Sequence, residues 1–142
     1  MSYLLDTCVI SELVRPVPDN RVVRWIESQN EFDLYLSVLT LGEIQKGISK
    51  LSHGKKKSTL TAWLKDELEV RFAERVLPVN DAIALMWGNM LGTSEKNGQP
   101  LSVIDALIAS TATVHNLVVV TRNISDFSGC SIDILDPWSI SW

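Results

Sequence analysis

The sequence predicts an α/β fold with a mainly parallel sheet and helices on both of its faces. The first observation is that strand-like and helix-like segments alternate along the chain, which is typical of sheets built from strand–helix–strand units. The second is the segment "LVVVT" at 117–121, which is apolar on both faces, as a central parallel strand covered by helices on both sides must be.

The predicted elements begin with a short apolar strand at 3–5. The helix after it ends before Pro16, because proline cannot continue a helix. A second helix at 19–29 places its apolar residues on one face. The segment "DLYLS" at 33–37 alternates with period two, which predicts a strand.

The middle of the chain predicts a helix from about Thr40 to Leu51. The polar segment "SHGKKKST" at 52–59 then reads as a linker, and a further helix carries the apolar residues between Leu60 and Leu68. The short strand "RVLPV" at 75–79 contains a proline, which predicts a sheet edge or a strand end.

The last elements are two helices, a strong strand and a weak strand. The helices at 81–91 and 101–114 are separated by the turn-like "KNGQ". The strong strand is the one at 117–121, and "CSIDIL" at 130–135 is the weak one.

Length and composition predict a single globular domain over residues 1–142. The chain has 142 residues, 46% of them hydrophobic and 21% charged, which suffices for one buried core. The formal net charge of −4 gives no overall attraction to nucleic acid, so any such binding needs a local basic patch. Five tryptophans are many for this length; core packing explains most of them and an interface one or two.

The sequence also predicts a soluble, cytoplasmic protein without membrane contact. Cys8 and Cys130 are far apart without metal-like spacing, so we expect reduced thiols. Asp6 and Glu12 interrupt the apolar residues of the N-terminal segment, which is therefore not predicted to be a signal peptide. The later apolar stretches are too short and too polar to cross a bilayer.

Acidic and amide side chains stand at the ends of the predicted elements. Asp6 ends the first strand, Asn123 and Asp126 follow the strand at 117–121, and Glu43 and Asp105 stand where two helices begin. Ligands of open parallel sheets bind beyond the carboxyl ends of the strands. Carboxylates that converge there repel one another and lose hydration, unless a hard cation such as Mg²⁺ or Mn²⁺ lies between them.

Each acid also has a purely structural interpretation. Glu43 and Asp105 both stand three residues after a Thr or Ser, which is the capping-box spacing. Asp6 is placed to cap the next helix, and Asp126 to form an Asx-turn. The argument for a metal site therefore depends on the whole set of acids.

The motifs together resemble those of the PIN-domain nucleases, in particular the VapC-type toxins of bacterial toxin–antitoxin pairs and the similar FitB proteins. The resemblance runs from "YLLDTCVISEL" through "LSVLTLGEIQKGI" and "DALIASTA" to "LVVVTRNISDF", with "DPW" near the end. It implies an α/β/α sandwich whose acidic pocket holds one or two Mg²⁺ or Mn²⁺ ions. It also implies cleavage of RNA phosphodiesters by hydrolysis that leaves a 5′-phosphate and a 3′-hydroxyl.

Carried over by position, the resemblance implies that Asp6, Glu43 and Asp105 are catalytic acids, with Asp6 and Asp105 as metal ligands. The fourth position falls on Asn123 or Asp126. We favour Asp126 as the catalytic acid and Asn123 as a hydrogen-bonding pocket residue.

The residue after "LLDT" departs from the family, because Cys8 stands where Asn or Ser is usual. Thr7 and Thr121 remain as hydroxyls able to orient the acids. Lys46, Lys50 and Arg122 are candidate contacts for RNA phosphates.

The family further implies a homodimer and a small antitoxin partner that covers the active-site groove. An alternative function is that of a FitB-like partner in a DNA-binding regulatory complex with little nuclease activity. Other enzyme classes fit less well. A haloacid-dehalogenase-type phosphohydrolase needs a second Asp where Cys8 stands, the glycine spacing excludes a P-loop, and a "GxSxG" elbow is missing from the sequence.

Overall fold

The fold was analysed in a computed structural model, which describes residues 1–141; Trp142 lies outside the described part. The strands, with the labels used below, are β1 (Tyr3–Leu5), β2 (Leu34–Ser37), β3 (Val76–Leu77), β4 (Val118–Val120) and β5 (Ile134–Leu135). They form one sheet in the order β3-β2-β1-β4-β5, and every neighbouring pair is parallel. The predicted mainly parallel sheet is therefore confirmed, with β4 in its interior.

Helices connect the strands. They are α1 (Thr7–Leu13), α2 (Asn20–Ser28), α3 (Val38–Ser49), α4 (Lys55–Trp63), α5 (Glu69–Arg71), α6 (Asp81–Lys96) and α7 (Val103–His115). A π-helical segment, Leu64–Leu68, joins α4 to α5. Short 3₁₀ turns cover Glu31–Asp33, Ile124–Phe127 and Pro137–Ser139.

Each face of the sheet carries its own hydrophobic core, because neighbouring strand residues point to opposite sides. Leu5 and Val120 face a core that receives the apolar stripes of α1 and α2 and the π-helical segment. Leu4 and Val119 face a second core, which is filled mainly from α7. The predicted α/β/α sandwich is confirmed.

Several predicted boundaries were wrong. Helix α3 begins at Val38 rather than near Thr40, with the Ser37 hydroxyl accepting a hydrogen bond from the backbone N–H of Leu39. The segment 52–59 is not all linker, since α4 begins at Lys55. Helix α6 continues past the predicted end to Lys96. The last predicted strand is reduced to Ile134–Leu135.

Arg75 anchors the edge of the sheet before β3. This residue is only 8% exposed. It donates to the backbone oxygens of Glu31, Leu34 and Arg71 and to the Glu31 carboxylate. These bonds satisfy a buried charge that would otherwise be costly. Separately, none of the helices within residues 1–141 is both long and apolar enough to cross a membrane.

Candidate active site

The candidate site is built where the carboxyl ends of β1 and β4 meet. Leu5 and Val120 are register partners, so Asp6 and Thr121 emerge side by side from the two strands. Thr121 is fully buried and its hydroxyl donates to Asp6 Oδ2 at 2.9 Å. Asp6 Oδ1 accepts the backbone N–H of Thr7 at 2.9 Å, as an N-cap of α1 does. Asp6 therefore caps a helix with one oxygen and contacts a neighbouring strand with the other.

Thr7 links this strand end to α3. Its hydroxyl donates to Glu43 Oε1 at 2.6 Å and lies 3.3 Å from the hydroxyl of the buried Thr40. Ser37 caps α3, so the capping-box interpretation of Glu43 was wrong. The Glu43 carboxylate, in the second turn of an exposed helix face, is instead fixed by a residue 36 positions earlier. The sequence placed Thr40 only at the helix start and in the capping-box spacing, and its contact with Thr7 was not predicted.

The electrostatics of Asp6 reflect a crowded acidic pocket. Burial is the main cause that raises the pKa of Asp6 above its ordinary value of 3.8. The hydrogen bonds from Thr121 and Thr7 work against that rise, and the charges of Glu43 and Asp105 add to it. Asp6 therefore lies within the electric field of both Glu43 and Asp105, and a cation beside it would relieve the repulsion.

Asp105 and Asp126 line an open groove next to this pocket. Asp105 stands in the first turn of α7, where its N–H donates to the Ser102 hydroxyl and its carboxylate accepts from the same hydroxyl at 2.8 Å. Only half of the predicted capping box is therefore present: Ser102 caps α7, but the Asp105 carboxylate accepts a hydroxyl and not a free backbone N–H. The groove has a volume of about 550 Å³ and runs between residues 99–102 and the segment 125–129. Asp126 lies on its 3₁₀ turn and is exposed.

Asn123 and Cys8 both contact the Thr121 hydroxyl. The backbone N–H of Asn123 donates to Thr121 Oγ1 at 3.0 Å, whereas its side chain is exposed. Cys8 Sγ lies 3.5 Å from the same oxygen. Burial is the main cause that raises the pKa of the Cys8 thiol above 9.0, although the backbone N–H of Arg122 works against it. At neutral pH Cys8 is therefore an uncharged neighbour of Asp6.

The candidate cations lie around the acids. Lys46, on α3, and Lys50, the residue that caps the end of α3, are exposed and follow Glu43 by three and seven positions, which places all three on one helix face. Arg122 is exposed beside the pocket, and its guanidinium carbon lies 5.3 Å from the centre of the Trp138 ring. The sequence had marked Trp138 only as an aromatic near the end of the chain.

The pocket offers oxygen ligands for a hard cation. Within residues 1–141, no three His, Cys, Asp or Glu side chains are close enough to form a complete metal cluster. Mg²⁺, however, is usually held by one or two carboxylates, with waters and substrate phosphates completing the shell. The charge of Asp105 contributes to the raised pKa of Asp6, and Thr121 and Thr7 fix the Asp6 carboxylate by hydrogen bonds. These residues fit such a partly hydrated cation.

Comparison with known proteins finds relatives that match nearly the whole chain. A family model for the PIN domain matches residues 3–128. Toxin FitB of Neisseria gonorrhoeae is 37% identical over 135 residues, which cover 95% of this chain and 97% of that protein. VapC ribonuclease Y4jK of Sinorhizobium fredii is 34% identical over 135 residues, which cover 95% and 96%.

Two solved structures resemble the fold closely. The crystal structure of FitAcB from Neisseria gonorrhoeae superposes with a TM-score of 0.91 at 36% identity, covering 97% of this chain and 99% of that one. A structure of FitAB bound to an IR36 DNA fragment gives a TM-score of 0.90 at 34% identity, covering 99% and 98%.

Proposed function

This chain belongs to the PIN domain family, and from that premise we propose that it is a divalent-metal-dependent endoribonuclease acting as the toxin of a toxin–antitoxin pair. The observation that carries the proposal is the hydrogen-bonded group of Asp6, Thr7, Glu43 and Thr121 at the carboxyl ends of β1 and β4. The similarity to a protein named VapC ribonuclease, over nearly the whole chain, supports RNA as the substrate.

In this proposal Asp6 and Asp105 hold the metal, which is Mg²⁺ or Mn²⁺ because all the donors are oxygens. When bound, the metal supplies polarisation of the scissile phosphate and a lower pKa for a bound water. Glu43 and Asp126 complete the negative charge of the pocket. Both lie on exposed surfaces open to a long substrate, in the second turn of α3 and at the groove.

The neutral pocket residues keep the acids in place. Thr121 holds Asp6, and Thr7 holds Glu43, each by one hydroxyl hydrogen bond. Asn123 fixes the Thr121 hydroxyl through its backbone N–H and leaves its side-chain amide facing solvent. These neutral residues keep the carboxylate oxygens at fixed positions before the substrate binds.

The path of the RNA follows the basic face of α3. Lys46 and Lys50 continue the helix face that begins at Glu43, so a strand whose scissile phosphate is at the acids passes within reach of both lysines. Selectivity for a particular RNA then depends on surface shape around unpaired bases, as is usual for single-stranded RNA.

We further propose that residues 1–142 form one nuclease domain that dimerises and binds a small antitoxin. The relative named Toxin FitB and the FitAB structure on DNA support a partner protein, with DNA contacted only through the complex. The DNA-bound FitAB structure also favours the second candidate function, a mainly regulatory DNA-binding complex. The acid pocket around Asp6 favours the nuclease.

The test is cleavage of a mixed RNA pool by the purified chain with Mg²⁺, with Mn²⁺ and with a chelator. We expect metal-dependent cleavage that leaves 5′-phosphates. Asp6→Asn and Asp105→Asn should abolish it while their circular dichroism spectra stay unchanged. Asp33→Asn is the matched control, because it removes a carboxylate at the amino end of β2, whereas the site lies at the carboxyl ends of the strands.

The opposite result is equally clear. A wild-type chain that is inert with every metal, or an Asp6→Asn variant that cleaves normally, would remove the nuclease proposal. Tight binding of promoter DNA by the complex, without cleavage by the isolated chain, would then favour the regulatory function.

A further inference from the structure

The "DPW" motif near the end of the chain builds a rigid support beside the candidate site. The Asp136 carboxylate accepts the backbone N–H of Trp138 at 2.9 Å and the Ser139 hydroxyl at 2.8 Å. Pro137 fixes the first position of the same 3₁₀ turn. These local bonds determine where the indole of Trp138 lies.

The indole of Trp138 is buried, and the guanidinium of Arg122 lies over its ring. Trp138 is 6% exposed and belongs to the core that α1 and α2 fill. The Arg122 guanidinium carbon lies 5.3 Å from its ring centre, within the range of a cation–π contact. Arg122 itself remains exposed.

No carboxylate neutralises the arginine through a salt bridge in the described part of the chain. Four other arginines are engaged with carboxylates: Arg15, Arg21, Arg71 and Arg75. Arg122 takes part in none of the salt bridges among residues 1–141. The pKa of Asp19 falls to about 2, mainly because of the hydrogen bond from the Arg21 side chain, and the charge of Arg122 is the smallest of the causes. Both oxygens of Asp19 accept from Arg21 and not from Arg122.

The backbone of Arg122 is tied to the acidic pocket. It directly follows Thr121, whose hydroxyl holds Asp6. The adjacent Asn123 N–H donates to Thr121 Oγ1. The position of the cation is thus fixed from both ends, by the pocket at the backbone and by the indole at the guanidinium.

We propose that Trp138 is a positioning residue that presents Arg122 to an RNA phosphate next to the one being cleaved. A neutral aromatic ring orients a guanidinium and leaves its positive charge available, whereas a carboxylate would orient the guanidinium and also neutralise that charge. The fork of the guanidinium then meets the phosphate oxygens with two parallel hydrogen bonds. This inference rests on the proposed nuclease function and adds a specific contact for its substrate.

The experiment measures both binding and turnover with the full chain. A fluorescent single-stranded RNA of mixed sequence is titrated in chelator at several salt concentrations, and kcat and KM are measured with Mg²⁺. Arg122→Gln should weaken RNA binding about tenfold, as expected for loss of a hydrogen bond to a charged group. It should also reduce the salt slope by about 0.7, the value for one phosphate contact on a single strand.

Two further variants separate positioning from charge. Trp138→Leu should weaken binding about two- to fivefold, the size of an exposed cation–π contact, with an unchanged salt slope. In the Arg122→Gln background the same substitution should add no further loss. Arg71→Gln is the charge-matched control, since it removes a cation near the amino end of β2. Glu31, which loses Arg71, retains its salt bridge to Arg75.

The outcomes distinguish this inference from the proposed function. If the wild type cleaves RNA but Arg122→Gln binds and cleaves RNA as well as Arg71→Gln does, the proposed contact of Arg122 with a phosphate is wrong. The proposed nuclease function is then still supported. If Trp138→Leu weakens RNA binding by the same factor in the wild type and in Arg122→Gln, the tryptophan acts through the stability of the fold and the positioning role is wrong. If the wild type binds RNA through Arg122 without cleaving it, the nuclease fails and the contact stands.

Discussion

Thr121 donates its only hydroxyl hydrogen to Asp6, with Oγ1 and Oδ2 2.9 Å apart across the junction of β4 and β1. The same oxygen accepts the backbone N–H of Asn123 at 3.0 Å. One buried hydroxyl therefore joins the acid of the first strand to the turn that follows the fourth. The orientation of Asp6 depends on a residue 115 positions away in sequence.

Replacing Thr121 by valine tests this link, because valine keeps the shape and loses the hydroxyl. The Asp6 carboxylate loses a donor, so we expect kcat/KM for RNA to fall about 10- to 100-fold, as for other groups that orient metal ligands. Stability should fall by about 1–3 kcal/mol, since buried polar groups lose their partner. Thr121→Ser is the control and should retain most activity. Full activity in the valine variant would contradict the link.

Asp6→Asn should stabilise the metal-free protein although it abolishes cleavage. Burial, with the charges of Glu43 and Asp105, raises the pKa of Asp6 above 3.8, so its ionised form is disfavoured in the folded state. Below the pKa that Asp6 has in the unfolded chain, its carboxyl is protonated in both the folded and the unfolded state, so the wild type loses no stability there. As pH rises through the folded pKa, the wild type loses stability and the asparagine variant does not.

The measurement is thermal unfolding of both proteins in chelator between acid and neutral pH. The Tm advantage of Asp6→Asn should be absent in acid and grow toward neutral pH. Added Mg²⁺ should reverse it, because only the wild type keeps the full ligand. A wild type that is more stable than the variant at neutral pH in chelator would show that the hydrogen bonds from Thr121 and Thr7 outweigh the repulsion.

The fourth acid position can be assigned by comparing Asp126→Asn with Asn123→Ala. Asp126 lines the same groove as Asp105, whereas Asn123 contacts Thr121 through its backbone, which alanine preserves. We expect Asp126→Asn to lower kcat/KM about tenfold and Asn123→Ala to change it little. Calorimetric titration of Mg²⁺ should rank the two variants in the same order. The reverse order would place the fourth position at Asn123.

The order of strands and helices could be predicted from the sequence because each element carries its own periodicity. The boundary at Ser37 could not, since this residue both ends β2 and caps α3, leaving no turn residues between the two elements. The start of α4 was missed for a related reason. Its first residues are three lysines, and the helix lacks a side-chain cap, so the usual start signals are absent.

The acids could be located from the sequence, but their partners could not. Asp6 and Glu43 stand out because charge at the end of an apolar element is unusual. The contacts of Thr7 with Glu43 and of Arg75 with Glu31 join residues 36 and 44 positions apart. Such pairs form because of the way the helices pack on the sheet. This packing cannot be read from the local pattern of the sequence. The support of Arg122 by Trp138 belongs to the same class.

The Cys8 thiol should remain protonated and unreactive at neutral pH. Burial raises its pKa above 9.0, and the charge of Asp6 adds to the rise. In a Cys130→Ser background, the rate of iodoacetamide alkylation measured in chelator should therefore reach half its maximum above pH 9.0. Asp6→Asn in the same background should lower that midpoint, because one of the charges that oppose the thiolate is gone.

The consequence for function is that Cys8 adds no charge to the acidic pocket. Cys8→Ser, which keeps a small hydrogen-bonding group 3.5 Å from Thr121 Oγ1, should preserve both Mg²⁺ affinity and kcat/KM. Cys8→Asp, by contrast, would place a further carboxylate beside Asp6 and should raise Mg²⁺ affinity while destabilising the metal-free fold. Rapid alkylation at neutral pH would contradict a neutral thiol and would mean that the cysteine acts in the pocket as an anion.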